Sequence, residues 1–203
     1  VNAINLHMYE QSCLPVEKDN NFATTLPVPV AAYANEVIKS TYNLGFLGVT
    51  EPVLELDLEH RLVEKIKLFL LELGKGFTYI GNQYPIEYKG RSGIVDLLFF
   101  HRGLRSLIAI ELKAGRYKPE YAGKMNYYLS ILDRTERGEG ENPSIGIILC
   151  AEKNHVDVEL SLDGMDKPIG VADYRLIIPQ EDLKQVIQDE IQAYDDEKQK
   201  GNE

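Results

Sequence analysis

The stretch GIVDLLFFHRGLRSLIAIELK, residues 93–113, sets two apolar runs around a short polar turn and breaks each run with charge. Asp96 interrupts the first run, and Glu111 and Lys113 end the second. Alternate side chains of a strand point to the same side. Leu107, Ala109, Glu111 and Lys113 therefore share one face, with Glu111 and Lys113 about 7 Å apart along the strand. Gly103-Leu104 suits a two-residue hairpin turn with Gly in the first central position. That turn pairs Arg102 with Arg105, Phe100 with Leu107 and, further along the ladder, Asp96 with Glu111. The two acids then face each other with Cβ atoms about 5 Å apart, an arrangement that is destabilising unless something positive lies between them. A divalent metal and the Lys113 ammonium are the candidates. Taken alone, Glu-x-Lys at a strand end also reads as a solvated ion pair; Asp96 on the neighbouring strand is what turns it into a site.

Outward from this hairpin, the chain reads as one domain with extensions. Its 203 residues are 44% hydrophobic, enough for a core, and two of them, Cys13 and Cys150, are cysteines. They lie far apart and match no disulfide or metal framework, so both read as reduced thiols of a cytoplasmic protein. No run is long enough to span a membrane. The formal charge of −10 argues against a histone-like nucleic-acid binder but leaves room for one basic face. The chain begins with Val, as the C-terminal piece of a longer protein would.

Residues 1–50 read as a tail and a Pro/Asn/Thr-rich connector. A helix is expected over 57–73, with Asp57 as N-cap and Gly74 as C-cap. Strands are expected at 77–88, 93–101, 106–113, 144–152 and 173–178. Further helices are expected near 118–133 and 154–163, with an acidic one at 180–198. This order favours an α/β fold, a mixed central β-sheet flanked by α-helices. On the first helix, Leu62, Val63, Ile66, Leu70 and Leu73 form an apolar stripe that includes Glu59 and leaves out Glu72. Glu59 is either a third site acid or a complement to the helix dipole.

Two or three carboxylates and a lysine suit metal-assisted phosphodiester hydrolysis. Mg²⁺ takes oxygen ligands and keeps waters, so two carboxylates hold it; Mn²⁺ could replace it. No Walker loop, Ser-His-Asp set or zinc spacing competes, and His7, His60, His101 and His155 are dispersed. After the lysine, KAGRYKPEYAGK carries Lys113, Arg116, Lys118 and Lys124 with Tyr117 and Tyr121 interleaved. It is either a phosphate-facing edge or an ordinary solvated helix start. Tyr127, Tyr128, Leu129 and Leu132 read as helix-to-sheet packing.

An acid on the first helix, an Asp on one strand and Glu-x-Lys on the next resemble the PD-(D/E)XK nuclease superfamily. The longer run through FLLELGKGFTYIGNQY, VDLLFFHRGLRSLIAIELKAGRYKPEYAGKMNYYL, NPSIGIILC and DKPIGVADYRL resembles the C-terminal domain of the YhcG-like family, over about residues 40–180. The resemblance implies a restriction-endonuclease-like fold over 51–180 and a metal-dependent DNA endonuclease, while residues 181–203 read from their charge as an acidic helix or tail. It implies Asp96, Glu111 and Glu59 as metal-binding acids and Lys113 as catalytic lysine. Gln83 is implied near the phosphate, and Lys124 and Tyr128 stand where relatives carry Gln-x-x-x-Tyr. Val95 stands where the superfamily's name has Pro. It also implies DNA and an upstream helical domain as partners, with a homodimer possible. The alternative is a non-catalytic nucleic-acid-binding or assembly module on the same fold.

Overall fold

The structure is a computed structural model and describes residues 19–48 and 54–176. Two short helices, α1 (Phe22–Thr25) and α2 (Val28–Val37), lead into β1 (Thr41–Asn43). Then come α3 (Glu55–Glu64), α4 (Ile66–Leu73), β2 (Phe77–Tyr88), β3 (Arg91–His101) and β4 (Ser106–Arg116). The chain continues through α5 (Glu120–Thr135), β5 (Ile145–Glu152), α6 (His155–Leu162) and β6 (Ile169–Arg175). The strands form one six-stranded sheet in the order β1-β6-β5-β4-β3-β2. Pairings β2–β3 and β3–β4 are antiparallel; β4–β5, β5–β6 and β1–β6 are parallel. The fold is α/β, a mixed sheet with helices on both faces, as the sequence led us to expect.

Two apolar clusters follow from strand alternation. Leu97, Phe99, Ile108, Ile110 and Leu112 pack with Leu58, Leu62, Phe69 and Leu73 of α3 and α4. Leu98, Leu107 and Ala109, on the other face, pack with Ala122, Met125, Leu129 and Leu132 of α5. Gly146 of β5 lets α5 come this close, because a Cβ there would overlap Met125 and lie 3.1 Å from Leu129. Gly93 of β3 serves the same end beside the Tyr128 ring. Leu129 and Leu132 are buried against the sheet as expected, whereas Tyr127 is exposed.

Several local expectations are corrected. The helix expected over 57–73 starts at Glu55, with Leu54 rather than Asp57 at its N-cap. It also breaks at Lys65, whose φ of −106° and ψ of 31° leave the helical region, so α3 and α4 are separate helices; the Lys65 Nζ donates to the Phe46 carbonyl at 2.7 Å. Gly74 does close α4, at φ 102°. In the β3–β4 hairpin the left-handed residue is Arg105 at φ 50°, not Gly103. The ladder closes at His101–Ser106, and the intervening turn is held by Leu104 N donating to His101 Nδ1 at 3.0 Å. The register is nevertheless the expected one, Phe100 opposite Leu107. The last strand begins at Ile169 rather than 173, because residues 169–173 pair in parallel with Gly146–Cys150.

The segment expected as connector contributes to the core. Phe22, Leu26, Ala31, Ala34, Ile38, Tyr42, Leu44 and Leu47 are all buried in the α3–α4 cluster. Cys13 and the helix expected at 180–198 lie outside the described residues. Cys150 is buried, and burial pushes its thiol up to about 12. We expect Phe22→Ala to lower the unfolding free energy by about 3–5 kcal/mol in denaturant titrations, the loss typical of an aromatic removed from a core.

Candidate active site

Adjacent strands β2, β3 and β4 bring three of the expected residues into one row. Gln83 lies between the paired positions Asn82–Leu97 and Tyr84–Val95, and so opposite Asp96. The β3–β4 ladder runs from His101–Ser106 to Leu97–Ile110, and Asp96 and Glu111 are the next residues along it. There the side chain of Asp96 takes over from the backbone: its Oδ2 accepts from Leu112 N at 2.8 Å.

Glu111 is the most constrained group, 2% exposed on the face that α5 covers. Its Oε1 accepts from Lys113 Nζ at 3.1 Å and also from Lys124 Nζ of α5. Its Oε2 is buried and has no hydrogen-bond partner among the described residues. Such an atom carries a desolvation cost that a buried polar group normally avoids. Burial first, then the adjacent Glu111, pushes the Asp96 carboxyl up to about 6, against the opposing pull of the Leu112 amide and the two lysines. Asp96 and Glu111 are therefore electrostatic neighbours, as the register requires.

Lys113 is 6% exposed, and every proton of its ammonium has an acceptor. Besides Glu111 it donates to Leu112 O at 2.8 Å and to Glu55 Oε2 at 3.0 Å. Burial works against its charge, but the Glu111 and Glu55 carboxylates outweigh it and hold its pKa above the usual lysine value. Lys124 follows the same pattern, with burial opposed by Glu111. Two tyrosine rings complete the lysine environment, Tyr121 at 5.2 Å from Lys113 Nζ and Tyr128 at 5.2 Å from Lys124 Nζ.

The remaining expected residues are placed differently. Glu59 is buried on the core side of α3, as the apolar stripe implied, and Glu72 instead binds Lys39 and the Asn43 amide. Yet Glu59 accepts from Asn82 Nδ2 at 3.1 Å and from Gln83 Nε2, not from the groups around Asp96 and Glu111. The helix meets the sheet at two points: one turn earlier its Glu55 reaches Lys113, while Glu59 falls beside the β2 amides. Among the described residues no three His, Cys, Asp or Glu side chains are grouped so as to hold a metal ion. Gln83 takes a left-handed φ of 45° where its amide meets Glu59. Arg116 and Lys118 are exposed, Arg116 at 3.8 Å from Glu152. Tyr117 is buried and shares a hydrogen bond of 2.6 Å with Ser161, so it belongs to the core rather than to a phosphate-facing edge.

Glu55 was not anticipated. It precedes Glu59 by four residues, one helical turn, and the two acids share a helix face; starting the helix at 57 left it outside. Lys124 was expected to face DNA, and its bond to Glu111 was not legible.

The family model described as YhcG PDDEXK nuclease domain matches residues 35–192. The chain belongs to that family. Its similarity to the YhcG protein of Escherichia coli (strain K12), itself named as a nuclease only provisionally, is 32% identity over 173 residues. That match covers 85% of this chain and 46% of the relative, so the chain spans about half the length of the curated protein. Solved structures similar to it include a repair endonuclease from Pyrococcus abyssi, at 18% identity and a TM-score of 0.43, covering 62% of this chain and 47% of that one. An EndoMS–dsDNA complex is similar at 20% identity and a TM-score of 0.39, covering 58% and 44%.

The raised Asp96 pKa carries a stability consequence. Between its ordinary value of 3.8 and about 6 the folded chain binds more protons than the unfolded chain. Stability from this group is therefore full at low pH and lost as pH rises through about 6. We expect Asp96→Asn, in metal-free buffer, to raise stability at pH 7.5 by on the order of 2 kcal/mol. The gain disappears as pH falls below the ordinary aspartate range. Thermal unfolding across pH in the presence of a chelator measures both limits.

Proposed function

We propose that this domain hydrolyses phosphodiester bonds of DNA with a divalent metal, Mg²⁺ or Mn²⁺, held by Asp96 and Glu111. The observation that carries the reading is the unpartnered, buried Oε2 of Glu111 beside an Asp96 whose charge is disfavoured by the same neighbour. Two hard oxygen donors whose mutual repulsion a cation would relieve fit Mg²⁺ or Mn²⁺. Membership of the PDDEXK nuclease family supports it. When bound, the ion supplies Lewis acidity toward a phosphoryl oxygen and lowers the pKa of a coordinated water.

The chain's own groups do the rest. Asp96 and Glu111 fix where a phosphate is drawn. Lys113 stays charged because Glu111, Glu55 and the Leu112 carbonyl hold it, and it stabilises charge developing on the phosphoryl oxygens. Glu55 is a positioning residue that acts through Lys113. Glu59 acts through Asn82 and Gln83, whose amides it holds on β2 next to Asp96. Arg116, Lys118 and Lys124, with Gln83 and Tyr128 at the margins, form the DNA side.

In Mg²⁺ or Mn²⁺, Asp96→Asn and Lys113→Met should each lower DNA cleavage about a hundredfold or more, the loss seen when a charge-stabilising group is removed. Cleavage unchanged in Asp96→Asn overturns the reading. Arg116→Ala and Lys118→Ala should weaken DNA binding without regard to sequence. Each should flatten the slope of log affinity against log salt by about 1, as measured by fluorescence anisotropy.

A further inference from the structure

We propose that Lys124 is a tethered cation that competes with the divalent ion for Glu111 and holds the acid pair to one ion per chain. The inference rests on the metal-dependent reading above and concerns how that site is loaded. Glu111 has two oxygens, and both ammonium groups crowd onto Oε1 while Oε2 is left bare. The two lysines are held differently. Lys113 is buried, with Glu55 and the Leu112 carbonyl as further acceptors, so it keeps its place if Glu111 is taken. Lys124 has a side chain 42% exposed, and among the described residues its polar contact is Glu111, supplemented by the Tyr128 face at 5.2 Å. It is therefore the cation that can leave.

The charges around the pair lead to the same place. Asp96, Glu111 and Glu55 bring three negative charges, and Lys113 and Lys124 bring two positive ones. Glu59 is not bonded to any of these five groups; its carboxylate accepts from the amides of Asn82 and Gln83. The remainder of one negative charge accommodates a single divalent ion together with one phosphate, whereas a second ion would leave a large positive excess. When the divalent ion engages Glu111, the released Lys124 ammonium has the flexible stem and solvent exposure to meet a substrate phosphate.

Calorimetric titration of the 203-residue chain with Mn²⁺ at fixed pH, without DNA, reads this directly. We expect one ion on the wild-type chain, affinity at least about tenfold tighter in Lys124→Gln, as removal of a like charge a few ångströms away implies, and near wild-type affinity in Lys124→Arg. Two ions on the wild-type chain overturn the inference, and that measurement needs no variant. Unchanged or weaker affinity in Lys124→Gln also overturns it, because a residue that merely orients Glu111 gives that result. Wild-type binding with either of those outcomes leaves the metal-dependent reading standing. Absence of Mn²⁺ binding from both chains overturns that reading and the inference with it.

Discussion

A carboxylate almost sealed from solvent on a central strand, with a second carboxylate beside it, is the constraint around which this domain is arranged. Burying one such charge is costly, and burying a like-charged neighbour adds to the cost. Each surrounding element supplies part of the compensation. Strand β4 contributes Lys113, α5 contributes Lys124, the first turn of α3 contributes Glu55 to keep Lys113 in place, and the end of the β3–β4 ladder frees the Leu112 amide for Asp96. None of these groups is adjacent in sequence to all the others. The mixed sheet is what makes them neighbours, antiparallel on one side of β4 and parallel on the other.

The parts legible in the sequence were those governed by local period. The alternation on 97–112 decided which residues share a face, although Val95 joins Leu98 and so breaks it at Asp96, and a four-residue loop preserved the register that a two-residue turn would have produced. Even with the turn type wrong, Asp96 and Glu111 therefore end up as neighbours. Glu59 was legible as a core-facing acid because the helical stripe passes through it, but a stripe says nothing about which polar side chains of the sheet it will meet. That choice is made by the chain's topology. It puts Glu59 against Asn82 and Gln83.

What the sequence hid were contacts between distant segments. At the break the Lys65 ammonium meets a carbonyl nineteen residues away. The early start of β6 depends on a parallel partner, β5. Residues 19–48 look like a connector because Pro, Asn and Thr punctuate them, yet Phe22 and Tyr42 find places in the core only after the sheet exists. Glu55 escaped notice for a similar reason, since an exposed acid at a helix start is unremarkable until a buried lysine reaches it.

The close seat of α5 on the sheet couples shape to charge. Met125, which rests on the bare backbone of Gly146, immediately follows Lys124 in the helix, and Tyr128, one turn on, rests beside Gly93. The helix therefore rests on two glycines, and the residue beside one of these seats carries the ammonium. A methyl group added at Gly146, on a strand that bears no site residue, would press on Met125 and Leu129, next to the lysine that meets Glu111. The reach of a cation into the acidic pair is thus set by the smallest side chains in the sheet.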